Sequence, residues 1–91
     1  MAIPKSFECM GMVIKVEMDD LEHAEAHGLY EHGKNRITID KKQSPQGKQS
    51  TFWHEFMHCA LETLCYNKLS KDEKFVERMA QCLYQLEKTR K

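Results

Sequence analysis

The chain contains 91 residues, which is enough for one small domain with a single core. Its 14 basic and 14 acidic residues balance to a formal charge of zero, and the only basic cluster is Lys88, Arg90 and Lys91. A basic face for nucleic acid is therefore not indicated, and no apolar run is long enough to cross a membrane. The four cysteines form no C-x-x-C pair and no signal-peptide pattern opens the chain, so we expect a cytoplasmic protein with reduced thiols.

The first half of the sequence predicts a strand, a hairpin and polar connections. Residues 10–17 are rich in apolar and β-branched side chains and predict a strand. Residues 19–27 are compatible with a short helix and equally with a loop. Gly28–Glu31 and Arg36–Asp40 flank a four-residue segment that contains glycine and asparagine, which is typical of a β-hairpin. Residues 41–48 contain proline and glycine and are predicted to form a polar loop.

The second half predicts two helices. The first is expected to begin at Ser50 or Thr51, which can cap a helix, and to end near Tyr66. The second is expected to begin at Ser70, because Ser70 and Glu73 fit the S-x-x-E capping box before an apolar stripe at helical spacing. The predicted fold is α+β: an N-terminal antiparallel sheet made of a strand and a hairpin, then two packed helices. A single domain is expected to span residues 1–91.

The sequence HEFMH in the first predicted helix matches the H-E-x-x-H zinc signature and carries most of the chemistry of the chain. His54 and His58 are four residues apart, so they lie on one face of a helix and can reach one Zn²⁺ ion. Glu55 then lies beside the ion, where it can take a proton from a water that the metal activates. The motif predicts a zinc site with Glu55 as general base.

A hydrolytic zinc site uses three protein ligands, so the third must come from elsewhere. No histidine follows His58, which leaves a carboxylate. The downstream candidates are Glu62, Asp72, Glu73, Glu77 and Glu87. Glu62 is about 12 Å from His54 along the helix axis and cannot share its ion, and Glu73 is expected to be engaged in its capping box. Exclusion therefore favours Glu77, although its position at the edge of the apolar stripe does not prove this choice.

The motif and the downstream glutamate resemble those of gluzincin-type zinc metallopeptidases. The chain more closely resembles very small H-E-x-x-H proteins, the minigluzincins and the phage-encoded ImmA/IrrE-like metallopeptidases, and this resemblance covers most of the chain. The resemblance implies a minimal zincin-like domain in a bacterial or phage-infected cell, with Glu77 as third ligand and Glu55 as base. One departure concerns the position four residues after the ligand, where gluzincins often have an acidic residue and this chain has Gln81.

The reaction expected from this resemblance is hydrolysis of a peptide or protein substrate. The strand Arg36–Asp40 is predicted to pair with an extended substrate if it forms the sheet edge nearest the helix. A catalytically inactive, zinc-stabilised interaction protein remains the alternative, because so short a chain leaves little to enclose a substrate. The sequence leaves the substrate and the oligomeric state open. It offers four weak candidates for an oxyanion donor: Tyr30, His27, His32 and Tyr66.

Two further groups of metal-ligating or redox-active residues have simpler interpretations. His23 and His27 are also four residues apart, but without a carboxylate or thiolate partner they are expected to be exposed rather than a second metal site. Cys59, Cys65 and Cys82 lie among apolar residues and are predicted to fill the core. A contact between Cys65 and Cys82 is compatible with this arrangement.

Overall fold

The computed structural model describes residues 2–22 and 26–90, and it has an α+β fold. Within these residues four strands come first, with a 3-10 helix His32–Lys34 between the last two, and two long helices follow with a single helical turn between them. The elements are β1 Ser6–Cys9, β2 Met12–Asp19, β3 Gly28–Glu31, β4 Arg36–Asp40, α1 Pro45–Thr63, α2 Asn67–Ser70 and α3 Glu73–Thr89. The predicted fold class is confirmed. Residues 23–25, which include His23 of the histidine pair and part of the 19–27 segment, lie outside the described residues.

The sheet is mixed, not wholly antiparallel as the sequence suggested. Its strand order is β1-β2-β4-β3, with β1 antiparallel to β2, β2 parallel to β4, and β3 antiparallel to β4. The connection after β2 returns the chain so that the second strand of the hairpin, not the first, lies beside β2. This topology leaves β3 on one edge of the sheet.

Strand β1 was not predicted, and residues 10 and 11 were wrongly placed in the following strand. Met10 and Gly11 instead form a two-residue turn between β1 and β2, and both have positive φ values, of 50° and 81°. Such a turn matches the twist of an antiparallel hairpin. The strand is only four residues long, with Phe7 and Cys9 facing the core, so its periodic signal is weak.

The predicted hairpin of β3 and β4 is confirmed, and β4 supplies the centre of the core. Ile37 and Ile39 are fully buried together with Ile14 of β2. They face Phe52 and Cys59 of α1 in one apolar cluster. Burying a side chain of this size is worth roughly 1.5–3 kcal/mol, so this cluster fixes α1 on the sheet.

Helix α1 begins before the predicted caps. Ser44 is the N-cap, and its hydroxyl accepts a hydrogen bond from the N–H of Gly47 at 3.0 Å. Pro45 occupies the first helical position, where its fixed φ is suitable and its missing N–H has no cost. Ser50 and Thr51 therefore lie inside the helix, and the predicted loop is shorter than expected.

Helix α3 begins at Glu73, and the predicted capping box at Ser70 is wrong. The N-cap is Asp72, whose carboxylate accepts a hydrogen bond from the N–H of Phe75 at 3.1 Å. Ser70 instead ends α2, where it is buried. Because the N-cap is Asp72 and not Ser70, the side chain of Glu73 is not engaged in a capping box and is available to the site.

Helix α1 lies between the sheet and α3. On its second side, Met57 and Leu61 pack against Val76 and Ala80 of α3, and Trp53 contacts both clusters. No helix in residues 2–22 and 26–90 is long and apolar enough to span a membrane. The remaining faces of α1 and α3 frame a cleft beside β3.

The cysteines only partly follow the prediction. Cys59 is fully buried, as expected. Cys65 and Cys82 are exposed and all four thiols are free, so their assignment to the core is wrong and they form no disulfide. Cys65 follows the end of α1 in a left-handed conformation with φ of 65°, which directs the chain away from the core.

Candidate metal centre

Helix α1 presents His54, Glu55 and His58 to the cleft. The helical repeat stacks the two histidines, and their ring centroids are 5.1 Å apart. Both imidazoles are mostly covered, with 22% and 16% of their side chains exposed. The predicted juxtaposition of the two histidines is present in the structure.

Glu73, not Glu77, faces both histidines. One carboxylate oxygen of Glu73 lies 3.2 Å from Nε2 of His54, and the other lies 3.4 Å from Nε2 of His58. Ligand atoms of these three residues all lie within 4.8 Å of one another, which is a spacing that could hold a metal ion. Glu73 comes into reach because it is the first residue of α3 and Asp72 provides the cap.

Glu77 lies nearby, on the opposite side of the His54 ring. Its Oε2 is 2.7 Å from Nδ1 of His54, and its Oε1 accepts a hydrogen bond from Gln81 at 2.7 Å. The Gln81 amide also donates to Ser50 at 2.8 Å. Gln81 thus connects Glu77 of α3 to Ser50 of α1. Glu77 as third ligand stays a prediction, while the geometry offers Glu73 as a second candidate.

His58 has its own hydrogen-bonded support. Its Nδ1 lies 2.8 Å from the hydroxyl oxygen of Ser70, and that hydroxyl donates to Glu62 at 3.0 Å. Because the hydroxyl has one hydrogen and gives it to Glu62, Nδ1 of His58 must be the donor in the other bond. Glu62, which the helix distance excluded as a ligand, is connected to His58 by hydrogen bonds through Ser70.

The same reasoning fixes the tautomer of both histidines. An ionised carboxylate only accepts hydrogen bonds, so Nδ1 of His54 donates to Glu77 just as Nδ1 of His58 donates to Ser70. In the neutral imidazoles, the Nε2 lone pairs then face the carboxylate of Glu73. Burial lowers the pKa of His58, which favours its neutral form.

When both imidazoles are neutral, three electron-pair donors converge on one point, and a metal cation there would relieve their mutual repulsion. Two histidine nitrogens and one glutamate oxygen form a set that zinc uses in catalytic sites, where a fourth position stays open. The second ring nitrogen of each histidine is already hydrogen-bonded, as is usual for metal-binding histidines. His54, His58 and Glu73 thus form a group that could hold a metal ion, with ligand types that zinc accepts.

Glu55 is the buried acid of the site. Only 8% of the residue is exposed, and this burial raises the pKa of Glu55 to about 7. The backbone N–H of Tyr30 on β3 donates a hydrogen bond to it, which partly offsets that effect. A carboxylate with such a pKa can both accept and release a proton near neutral pH.

Gly28 on β3 makes the close packing of Glu55 possible. A Cβ atom at this position would overlap the methyl group of Thr51 and lie 2.9 Å from Cγ of Glu55. From the sequence, Gly28 was interpreted only as an element boundary, so this role was missed. An alignment of related chains would be the signal most able to reveal it, since a single sequence does not distinguish a boundary glycine from a packed one.

The cleft is open and runs along β3. Its two ends are depressions of about 420 and 680 Å³, and a third of about 340 Å³ joins them over His54, Glu55, His58 and Glu73. Because the third is lined by Gly28, Leu29 and Tyr30, the edge strand of the site is β3. The condition for substrate pairing with Arg36–Asp40 is not met, since β4 lies between β2 and β3.

The four candidate oxyanion donors lie in different surroundings. Tyr30 lines the middle of the cleft, and its hydroxyl is 2.7 Å from Nδ1 of His32. Burial raises the pKa of Tyr30 to about 12, so the hydroxyl stays protonated. His27 and His32 line opposite ends of the cleft, whereas Tyr66 is 57% exposed and lines none of the three depressions.

Comparison of the chain with protein-family models, curated proteins and solved structures finds no match. The resemblance to gluzincins and to small phage-encoded metallopeptidases therefore stays a prediction based on the residues quoted above.

Proposed function

We propose that this chain is a zinc-dependent metallopeptidase in which His54, His58 and Glu73 bind Zn²⁺ and Glu55 is the general base. The observation that carries the proposal is the convergence of both Nε2 atoms on the Glu73 carboxylate, next to a buried glutamate. The H-E-x-x-H signature alone supports metal binding. The buried Glu55 adds a group whose pKa suits proton transfer at neutral pH.

The choice of Glu73 over Glu77 rests on which nitrogen each carboxylate faces. Glu77 contacts Nδ1 of His54, which points away from the shared point between the two histidines. With Glu73 as ligand, the residue four positions later is Glu77, the acidic residue that gluzincins often have there. The chain then agrees with the gluzincin pattern at this position, and Glu77 becomes a group that orients His54.

The chain's own residues would divide the chemistry as follows. When bound, zinc supplies Lewis-acid chemistry that polarises a carbonyl and makes water more acidic. Glu55 accepts the proton of the attacking water at its carboxylate and later delivers it to the leaving amine. Gly28 and the Tyr30 N–H hold that carboxylate in place.

A peptide is the substrate class that the cleft favours. Strand β3 is a sheet edge and forms one wall of the cleft beside Glu55. An extended peptide can add to such an edge through main-chain hydrogen bonds. The cytoplasm of a bacterial or phage-infected cell remains the proposed setting, and neither nucleic acid nor a membrane is proposed as partner.

The alternative is a zinc-stabilised interaction protein without activity. One observation favours it: the side chain of Glu73 is 66% exposed, so the proposed site is poorly shielded from solvent, and water-excluded sites catalyse more effectively. In that case zinc would raise the stability of the fold without supporting cleavage.

The two functions are separated by one set of measurements. Protein purified without added metal is analysed for zinc, and cleavage of unfolded casein is followed by mass spectrometry. The peptidase proposal expects stoichiometric zinc and new peptide ends, with Glu55→Gln retaining zinc and losing cleavage. Glu8→Gln, an exposed carboxylate on β1, is the control for loss of one negative charge. Equal cleavage by Glu55→Gln would exclude Glu55 as the base.

A further inference from the structure

His58 is supported differently from His54. His54 contacts a carboxylate directly, with 2.7 Å between its Nδ1 and Glu77. His58 instead contacts the hydroxyl of Ser70 at 2.8 Å, and the carboxylate of Glu62 lies beyond that hydroxyl at 3.0 Å. The neutral hydroxyl of Ser70 thus lies between the His58 imidazole and the Glu62 carboxylate.

The position of Ser70 indicates that this hydroxyl is more than a surface contact. Ser70 is only 5% exposed, and its side chain bonds to both Glu62 and His58. Glu62 lies four residues after His58 on α1, so the two share one helix face and Ser70 reaches them from α2. The three residues form one directed chain, in which each donor has a defined acceptor.

We propose that Ser70 and Glu62 act together as a positioning pair that fixes the tautomer and orientation of His58, with Ser70 carrying the influence of Glu62 to the imidazole. The inference rests on the proposed metal site and adds two residues to it. By accepting from Ser70 O–H, Glu62 makes the hydroxyl oxygen a better acceptor for Nδ1–H of His58. This leaves the lone pair on Nε2, directed at the metal position, and strengthens it as a ligand.

Ser70 also connects the two helices that carry the ligands. It ends α2 three residues before Glu73, with the N-cap Asp72 between them. The contact of Ser70 with α1 therefore fixes the chain just before the third carboxylate. Loss of the hydroxyl is expected to affect both the orientation of His58 and the placement of Glu73.

The first test reads the tautomer in the metal-free protein by imidazole ¹⁵N NMR. His58 of the wild type is expected to carry its proton on Nδ1. In Ser70→Ala, the population is expected to move toward the Nε2–H form that dominates in free histidine. An unchanged tautomer in Ser70→Ala would overturn the positioning role. This measurement needs neither metal nor activity, so it does not depend on the proposed function.

The second test is a double-mutant cycle on zinc affinity, measured by competition with a chromophoric chelator. Ser70→Ala and Glu62→Gln are each expected to weaken zinc binding by roughly 10- to 100-fold. The double variant is expected to bind about as weakly as Ser70→Ala, because Glu62 acts only through the hydroxyl. Effects that multiply in the double variant would mean that the residues act separately and would overturn the pair.

Controls separate this inference from the proposed function. Ser6→Ala and Glu8→Gln remove an exposed hydroxyl and an exposed carboxylate on β1 and are expected to leave zinc affinity unchanged. If the wild type binds zinc and Ser70→Ala binds it equally well, the positioning pair is wrong and the metal site stands. If the wild type binds no zinc but Ser70→Ala changes the tautomer of His58, the proposed function is wrong and the hydrogen-bonded chain stands.

Discussion

Nδ1 of His54 donates a hydrogen bond to the Glu77 carboxylate at 2.7 Å, and its Nε2 faces Glu73 at 3.2 Å. One imidazole therefore lies between two glutamates of α3, one turn apart. Because only one of its nitrogens can face the point shared with His58, the two carboxylates must have different roles. Glu73, which faces Nε2, fits the role of a ligand, and Glu77, which accepts from Nδ1, fits the role of a group that orients the ring.

Substitution of the two glutamates is expected to give effects of different size. Glu73→Gln should lose more than 100-fold in zinc affinity, because it removes a charged ligand. Glu77→Gln should lose roughly 10- to 100-fold, because it only weakens the support of His54. Zinc competition titrations measure both losses, and Co²⁺ spectra report the number of ligands. Zinc binding that survives in Glu73→Gln and disappears in Glu77→Gln would restore Glu77 as the third ligand.

Gly28→Ala is expected to destabilise the protein by roughly 1–3 kcal/mol, the range for overpacking a close contact. The added methyl group would overlap Thr51 and press on Glu55. Urea unfolding measures the free energy. Gly33→Ala is the matched control, because a Cβ atom there meets nothing within 4 Å. Combining Gly28→Ala with Thr51→Ser, which removes the overlapping methyl, should recover part of the loss; no recovery would contradict the proposed contact.

The stability of the metal-free protein should depend on pH through Glu55. Its pKa is about 7 in the folded chain against an ordinary value of 4.5. Below pH 4.5 the group is protonated in both states and has no effect. As pH rises toward 7, the unfolded chain ionises first, so the folded state loses up to roughly 3 kcal/mol of relative stability.

Glu55→Gln provides the comparison for this pH dependence, since glutamine does not titrate. Urea unfolding in the presence of a chelator is measured from pH 4.5 to 8 for both proteins. The wild type should lose stability relative to Glu55→Gln between about pH 4.5 and 7, and the difference should then level off. A difference that is constant over this range would show that burial does not perturb Glu55.

Asp72→Ala is expected to cost about 1 kcal/mol, because it leaves the first N–H groups of α3 without their cap. Asp72→Asn keeps an acceptor in the same place and should be close to the wild type. Thermal unfolding measures both. Zinc affinity should fall with Asp72→Ala but not with Asp72→Asn, because Glu73 is the next residue. If both variants have wild-type stability, the assigned cap is wrong.

The part of the site that follows from local geometry was predictable from the sequence. His54, Glu55 and His58 lie within five residues of one helix, so the helical repeat alone places them. The third carboxylate was not predictable in this way, because it depends on where α3 begins. Ser70 and Asp72 are both good caps, and Ser70 is removed from that role by its contacts with Glu62 and His58.

In the sheet, too, pairing between neighbouring segments was predictable from the sequence and pairing between distant segments was not. The hairpin of β3 and β4 was predicted because its turn residues and its strands are adjacent in the sequence. The parallel pairing of β2 with β4 was not, since it joins segments that are far apart and depends on how Ile14, Ile37 and Ile39 pack on α1. That pairing decides which strand forms the wall of the cleft.

All of the proposed metal ligands and the groups that support them lie in the segment from α1 to α3, residues 45–89. By contrast, the burial of Glu55 depends on Gly28 and Tyr30 of the sheet. The proposed ligands thus all lie in the second half of the chain, whereas the pKa of Glu55, itself on α1, also depends on contacts with β3 in the first half. Substitutions in β3 can change how readily the base ionises without altering any residue that touches the ion, so the pKa of the base and the metal affinity are free to vary independently.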